Sequence, residues 1–184
     1  MVYMIGKEME ILSKKDILNI PESALPLLVL SDNVQGFISW GIKAHEHGNY
    51  NHLMWMHRPG YVVSQGWILK EKKIEDYLKT HRLKFWSGTH WTRHGKELLK
   101  IKLQAELKAP WYKKIYDPVQ IIGKFFGLNW LQIPGSARIC SDHADKFGLL
   151  DPKWKIDEHL SPPEVNRELE KNPKYYVYGR YITD

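Results

Sequence analysis

The most constraining feature of this sequence is a hairpin. Residues 52–57 read His-Leu-Met-Trp-Met-His and residues 62–67 read Val-Val-Ser-Gln-Gly-Trp, with Arg58, Pro59, Gly60 and Tyr61 between them. Proline presets φ at the first central position of a turn, and glycine accepts the positive φ required at the second. Two apolar runs joined by Pro-Gly therefore predict an antiparallel strand pair. Such a pair needs further strands and a covering layer to be stable. Leu27 to Leu30 supplies a short apolar run that reads as a buried strand, Leu83 to Trp86 another, and Tyr175 to Ile182 an aromatic one that closes the chain. Ser31, Asp32 and Asn33 read as a turn or helix cap.

Helices are expected around these strands. Lys7 to Asn19 has a partial apolar face and stops at Pro21. Ile74 to Leu78 reads as one helical turn. Gly95 to Lys108 carries leucines at helical spacing and is ended by Pro110, and Pro118 to Gly127 opens on proline and is apolar enough to be buried. Ala137 to Phe147 is a further helix, and Pro162 and Pro163 open a short one over Glu164 to Glu170. The polar stretch Ser87 to Lys96 reads as a surface insertion. Hairpin strands without regular helix alternation predict an α+β fold: an antiparallel sheet or partial barrel flanked by helices. At 184 residues with no linker composition, one domain over residues 1–184 is expected.

Composition removes several classes. With 43% hydrophobic and 12% aromatic residues, the chain is not natively unfolded. One cysteine excludes an intramolecular disulfide and a cysteine-rich zinc module. The longest stretch without polar side chains, Ala24 to Leu30, is too short for a spanning helix, which needs about 20 residues. The N-terminus lacks the order of a signal peptide, so a cytoplasmic location is the default expectation, with export by another route open. The net charge of +6 is scattered and interrupted by acids, densest at Lys70 to Lys73 and at Lys113 and Lys114. A solvated surface is expected, with contact to an anionic surface possible and no obligate nucleic acid.

The one thiol is Cys140. Pro134, Gly135 and Ser136 break the chain before it and helix-like sequence follows it. In a helix's first turn, free N–H groups and the dipole favour the thiolate and could hold an adjacent oxyanion; the alternative is a small buried hydrophobe. A thiol nucleophile needs a base, usually histidine. Of nine histidines, His52 stands out because a strand fixes a side chain better than a loop does. His143 is three residues from Cys140, and His57 lies next to the turn. With Pro59 and Gly60 as a two-residue loop, Arg58 faces Tyr61, Met54 pairs with Gln65 and His52 with Trp67. Gln65 then shares a face with His52 and is the preferred group to orient the ring, whereas a one-residue bulge would substitute Ser64. A zinc site from His45 and His47 with His52 or His57 is disfavoured by the loop and by the absence of a His-Glu-x-x-His pattern. No phosphate-loop or dinucleotide motif is present, and no cofactor or metal is expected.

Taken in order, these pieces resemble the circularly permuted papain-like branch of the NlpC superfamily, which includes bacterial and phage amidases or peptidases and the lecithin:retinol acyltransferase group. The matching stretches are Leu27 to Ser31, Tyr50 to Met56, Val62 to Gln65, Tyr116 to Pro118 with the helix after it, Ile139 to Asp142, and the Ser161, Pro162, Pro163 turn. In unpermuted relatives the cysteine precedes the histidine; here His52 precedes Cys140. The segment Cys140, Ser141, Asp142 is similar to the family's Cys-Ser-Glu, with Asp in place of Glu. The resemblance implies a thiol-dependent hydrolase or acyltransferase acting on an amide, peptide or acyl bond, including a cell-wall amidase or endopeptidase. Cys140 would be nucleophile, His52 base, and Gln65 or Ser64 orienter, a place where relatives often carry histidine or an acid; Glu46 is another candidate. Substrates implied are a peptide, a peptidoglycan-like peptide or an acyl group. The alternative is a non-catalytic module on the same fold that holds nucleic acid or an anionic wall polymer on its aromatic and basic surface.

Overall fold

The computed structural model describes residues 10–33, 49–115, 146–151 and 161–183. Six strands form one open sheet: β1 (Leu27–Asn33), β2 (His52–Arg58), β3 (Tyr61–Gln65), β4 (Leu69–Lys73), β5 (His81–Gly88) and β6 (Tyr175–Tyr181). Their order is β4-β3-β2-β1-β5-β6, and every neighbouring pair is antiparallel. Five helices accompany them among the described residues: α1 (Lys14–Leu18), α2 (Glu75–Leu78), α3 (Arg93–Lys108), α4 (Phe147–Leu150) and α5 (Pro162–Lys171). The fold is α+β on an open antiparallel sheet. Among the described residues no helix is long and apolar enough to cross a membrane.

Alternate strand residues point to opposite faces, and here both faces are covered. On one, Leu28, Leu30, Leu53, Trp55, Val63 and Trp86 pack with Leu99 and Leu103 of α3, Phe147 of α4, and Val165 and Leu169 of α5. On the other, Leu27, Val29, Met54, Met56, Val62 and Phe85 pack with Ile17 of α1 and Tyr77 and Leu78 of α2. We call these the long-helix face and the short-helix face. Two-sided burial explains why β1 is a continuous apolar run rather than an alternation. Each fully buried Leu, Val, Met or Phe stabilises the fold by about 1.5–3 kcal/mol.

Local signals set the helix ends. Thr92 Oγ1 accepts the Gly95 N–H at 3.0 Å to start α3. A Cβ on Gly95 would lie 2.8 Å from the Leu149 carbonyl oxygen, so glycine is what lets α4 approach α3. The Ser161 and Glu164 pair forms a capping box, and Pro162 and Pro163 occupy the first turn of α5. Strips of chain lie along both sheet edges. Leu69 N–H donates to Lys114 O at 2.8 Å and Ile68 bridges Ile115 beside β4, while Leu12 and Glu10 exchange backbone bonds with Arg180 of β6.

Several expectations change. Only Lys14–Leu18 of the helix expected over Lys7 to Asn19 is helical, because residues 10–12 bond to β6 instead; residues 1–9 lie outside the described residues. Ser31, Asp32 and Asn33 continue β1 rather than turning, being paired to Leu83, Arg82 and His81 of β5. β4 is a strand that the sequence pattern does not predict. Nor is Ser87 to Lys96 a surface insertion: Ser87 and Gly88 end β5, and Trp91 and Gly95 are buried. The helix expected at Pro118 to Gly127 and most of that at Ala137 to Phe147 lie outside the described residues.

Candidate functional site

The Pro-Gly turn forms as expected, with Gly60 at φ 75° and Arg58 opposite Tyr61. Arg58 also stacks its guanidinium 3.6 Å above the Tyr61 ring. A turn of this hand does not match the twist of the strands it joins, and a bulge between Met56 and Arg58 absorbs the mismatch, so that Met54 pairs with Ser64. This one-residue shift exchanges the faces of Ser64 and Gln65.

His52 therefore meets Ser64. Its Nε2 lies 2.8 Å from Ser64 Oγ, and Ser64 Oγ lies 2.6 Å from the Tyr77 hydroxyl. Tyr77 comes from α2, and its ring stacks on His52 with centroids 6.5 Å apart and planes 11° off parallel. His81, at the start of β5, meets the other side of Tyr77 edge-on at 5.1 Å and is held by Thr80 Oγ1 at 2.8 Å. Lys72 of β4 places its ammonium 5.6 Å from the Tyr77 ring centre. Ser31, opposite His52 on β1, is fully buried, and its hydroxyl has no partner among the described residues. These groups share the short-helix face at the end of the sheet where β2 and β5 begin.

Burial is the largest influence on the His52 ring. Together with the Lys72 ammonium and His81, it pushes the pKa down to about 3. The ring is neutral at pH 7. Its Nε2 is engaged by Ser64, and its Nδ1 has no hydrogen bond among the described residues.

Gln65 does something else. It sits on the long-helix face, buried, and donates from Nε2 to Lys114 O at 3.0 Å and to Gly66 O at 3.2 Å. It pins the chain after α3 to β3 and does not touch His52, which corrects the preference for Gln65 over Ser64. Cys140, Glu46, His45, His47, His143 and His159 lie outside the described residues.

Two other histidines have carboxylate partners. His57, on the long-helix face, contacts Glu71 Oε1 at 2.8 Å, and Arg58 Nε donates to the same oxygen at 2.9 Å. Burial lowers the His57 pKa and the Glu71 bond opposes it. His90, in the turn after β5, has Nε2 3.1 Å from Asp151 Oδ2, while the Tyr175 hydroxyl donates to that oxygen at 3.3 Å. Among the described residues no three His, Cys, Asp or Glu side chains converge as metal ligands. Tyr77 has no local cue, since its place comes from where α2 falls between two strands, and Lys72 reads as part of a charge run.

No protein-family model matches this chain, and no curated protein matches it.

Proposed function

We propose that this protein is a thiol-dependent hydrolase or acyltransferase on a permuted papain-like fold, with Cys140 as nucleophile, His52 as base and Ser64 as the residue that orients the ring. The observation that carries the reading is the one-sided engagement of His52. Ser64 holds Nε2, which leaves Nδ1 to take a proton. In the reaction Nδ1 accepts the Cys140 S–H proton as sulfur attacks the carbonyl carbon. The C–S bond forms and the carbonyl π pair moves to oxygen. Collapse of that intermediate breaks the C–N or C–O bond, and the imidazolium returns its proton to the leaving group. Water or another acceptor then releases the acyl group. Ser64 is a hydroxyl, so it orients the imidazolium without stabilising it by charge. The thiolate is the group that raises the ring's pKa from its depressed value. The chain re-enters the described structure on the long-helix face, where Phe147 lies 5.2 Å from Trp55. Seven residues separate Cys140 from Phe147 and span at most about 25 Å. Substrates in keeping with the family resemblance are a peptide, a peptidoglycan-like peptide or an acyl group.

Iodoacetamide labelling of Cys140, followed by mass spectrometry at pH 7, tests the pairing. The expected rate exceeds that of the urea-unfolded chain by roughly tenfold or more and falls to the unfolded rate in His52→Ala. Equal rates in folded, unfolded and His52→Ala protein would sink it.

A second reading, a polyanion-binding module, has its own observation. Between residues 98 and 114 the only acid is Glu106, which is buried against Lys146 at 3.2 Å. The exposed charges there, Lys102, Lys108 and Lys113, are all positive, beside Trp111 at 66% and Tyr112 at 49% exposure. Exposed rings flanked by lysines suit single-stranded nucleic acid. Affinity for a labelled oligothymidylate that drops steeply from 50 to 200 mM salt, with Cys140 inert, would favour this reading; indifference at low salt would remove it.

A further inference from the structure

We infer that Tyr77 is a positioning residue that selects the tautomer of His52; this rests on His52 acting as base through Nδ1. For Nδ1 to carry the lone pair, Nε2 must carry the hydrogen and donate it to Ser64 Oγ. A serine hydroxyl has one hydrogen and two lone pairs. Ser64 is fully buried, and among the described residues its side-chain partners are His52 and Tyr77. Once Ser64 accepts from Nε2, its own hydrogen has one acceptor among the described residues, the Tyr77 oxygen 2.6 Å away. The proton order is then Nε2–H to Ser64 Oγ, and Ser64 O–H to Tyr77 Oη.

Removing the phenolic oxygen reverses this order. In Tyr77→Phe the Ser64 hydrogen loses its acceptor and turns to the remaining one, Nε2. An Nε2 that accepts must give its hydrogen to Nδ1, and Nδ1 ceases to be a base. The Phe ring keeps the stack against His52 and the edge contact with His81, so position is retained while tautomer changes. A merely structural tyrosine would shift stability and leave the tautomer alone.

The experiment is long-range proton–nitrogen NMR of the full chain at pH 7, with the His52 ring nitrogens assigned by comparison with His52→Gln. The expected result is Nε2–H in the wild type and Nδ1–H in Tyr77→Phe. The His52-dependent part of the Cys140 labelling rate should be lost in that variant, bringing labelling down to the rate of His52→Ala, because a ring in the wrong tautomer is no base. An Nδ1–H tautomer in the wild type overturns the inference and requires no variant to fold. An unchanged tautomer in a folded Tyr77→Phe overturns it as well. If wild-type labelling depends on His52 while the tautomer is unmoved by Tyr77→Phe, the thiol reading survives and the tyrosine's role does not. If labelling is indifferent to His52, the thiol reading fails whatever the tautomer.

Discussion

His52 and His57 begin and nearly end the same strand, and the molecule treats them in opposite ways. His57 faces the long helices and is held by a carboxylate that an arginine also grips. His52 faces the short helices and is held by a hydroxyl backed by a phenol. Burial lowers both pKa values. At His57 the Glu71 anion offsets part of that shift; at His52 no anion among the described residues does, and neighbouring Lys72 and His81 push further down. A histidine tied to an acid is a structural link with its proton spoken for. One tied to a hydroxyl stays neutral, and a negative charge arriving beside it changes its state.

The contrast breaks most visibly in reactivity. His52→Ala is expected to slow iodoacetamide labelling of Cys140 by roughly a hundredfold, the low end of general-base effects, whereas His57→Ala leaves the rate within about twofold. Equal losses from the two variants would erase the distinction.

Acid should separate them next. His52 has its folded pKa depressed to about 3, below the ordinary value near 6.5. Between those two values the unfolded chain binds the extra proton, so the contribution is full above about pH 6.5 and is lost as pH falls toward 3. Between pH 7 and pH 5 the loss is on the order of 2 kcal/mol. Urea melts at both pH values should show it, and His52→Gln should flatten the dependence. His57→Gln should flatten it less, since Glu71 opposes the shift there.

Removing the partners comes third. Ser64→Ala strands the Tyr77 hydroxyl in a buried site and should cost about 1–3 kcal/mol by urea denaturation. Glu71→Gln should cost less, about 1 kcal/mol, because Arg58 is half exposed and solvent screens its share. A larger penalty at Glu71 than at Ser64 would reverse the ranking of the two environments.

What could be read in the sequence follows the range of the forces involved. The hairpin was legible because Pro59 and Gly60 act locally, and α5 because Pro162 and Pro163 mark its start. Ser31, Asp32 and Asn33 look like a turn because their side chains are polar, yet they are held as strand by β2 and β5 partners that are remote in sequence. β4 hides in Leu-Lys-Glu-Lys-Lys, the charged composition that protects an outer strand. Trp91 sits in a polar stretch and is drawn into the core by Trp55, Phe147 and Tyr175. In the candidate site, His52 was identified from its place on a strand, and the choice between Ser64 and Gln65 turned on one bulged residue, which apolar patterning does not reveal. Tyr77 carried no local signal.

The strips that flank the outer strands have a consequence for self-association. An extended peptide that tried to join the sheet where β4 begins would find the Lys114 carbonyl already on the Leu69 amide, and one approaching the end of β6 would meet Glu10 and Leu12. Copies of the protein cannot zip together at those points until these strips peel away, so fibre growth by strand addition there carries a built-in barrier.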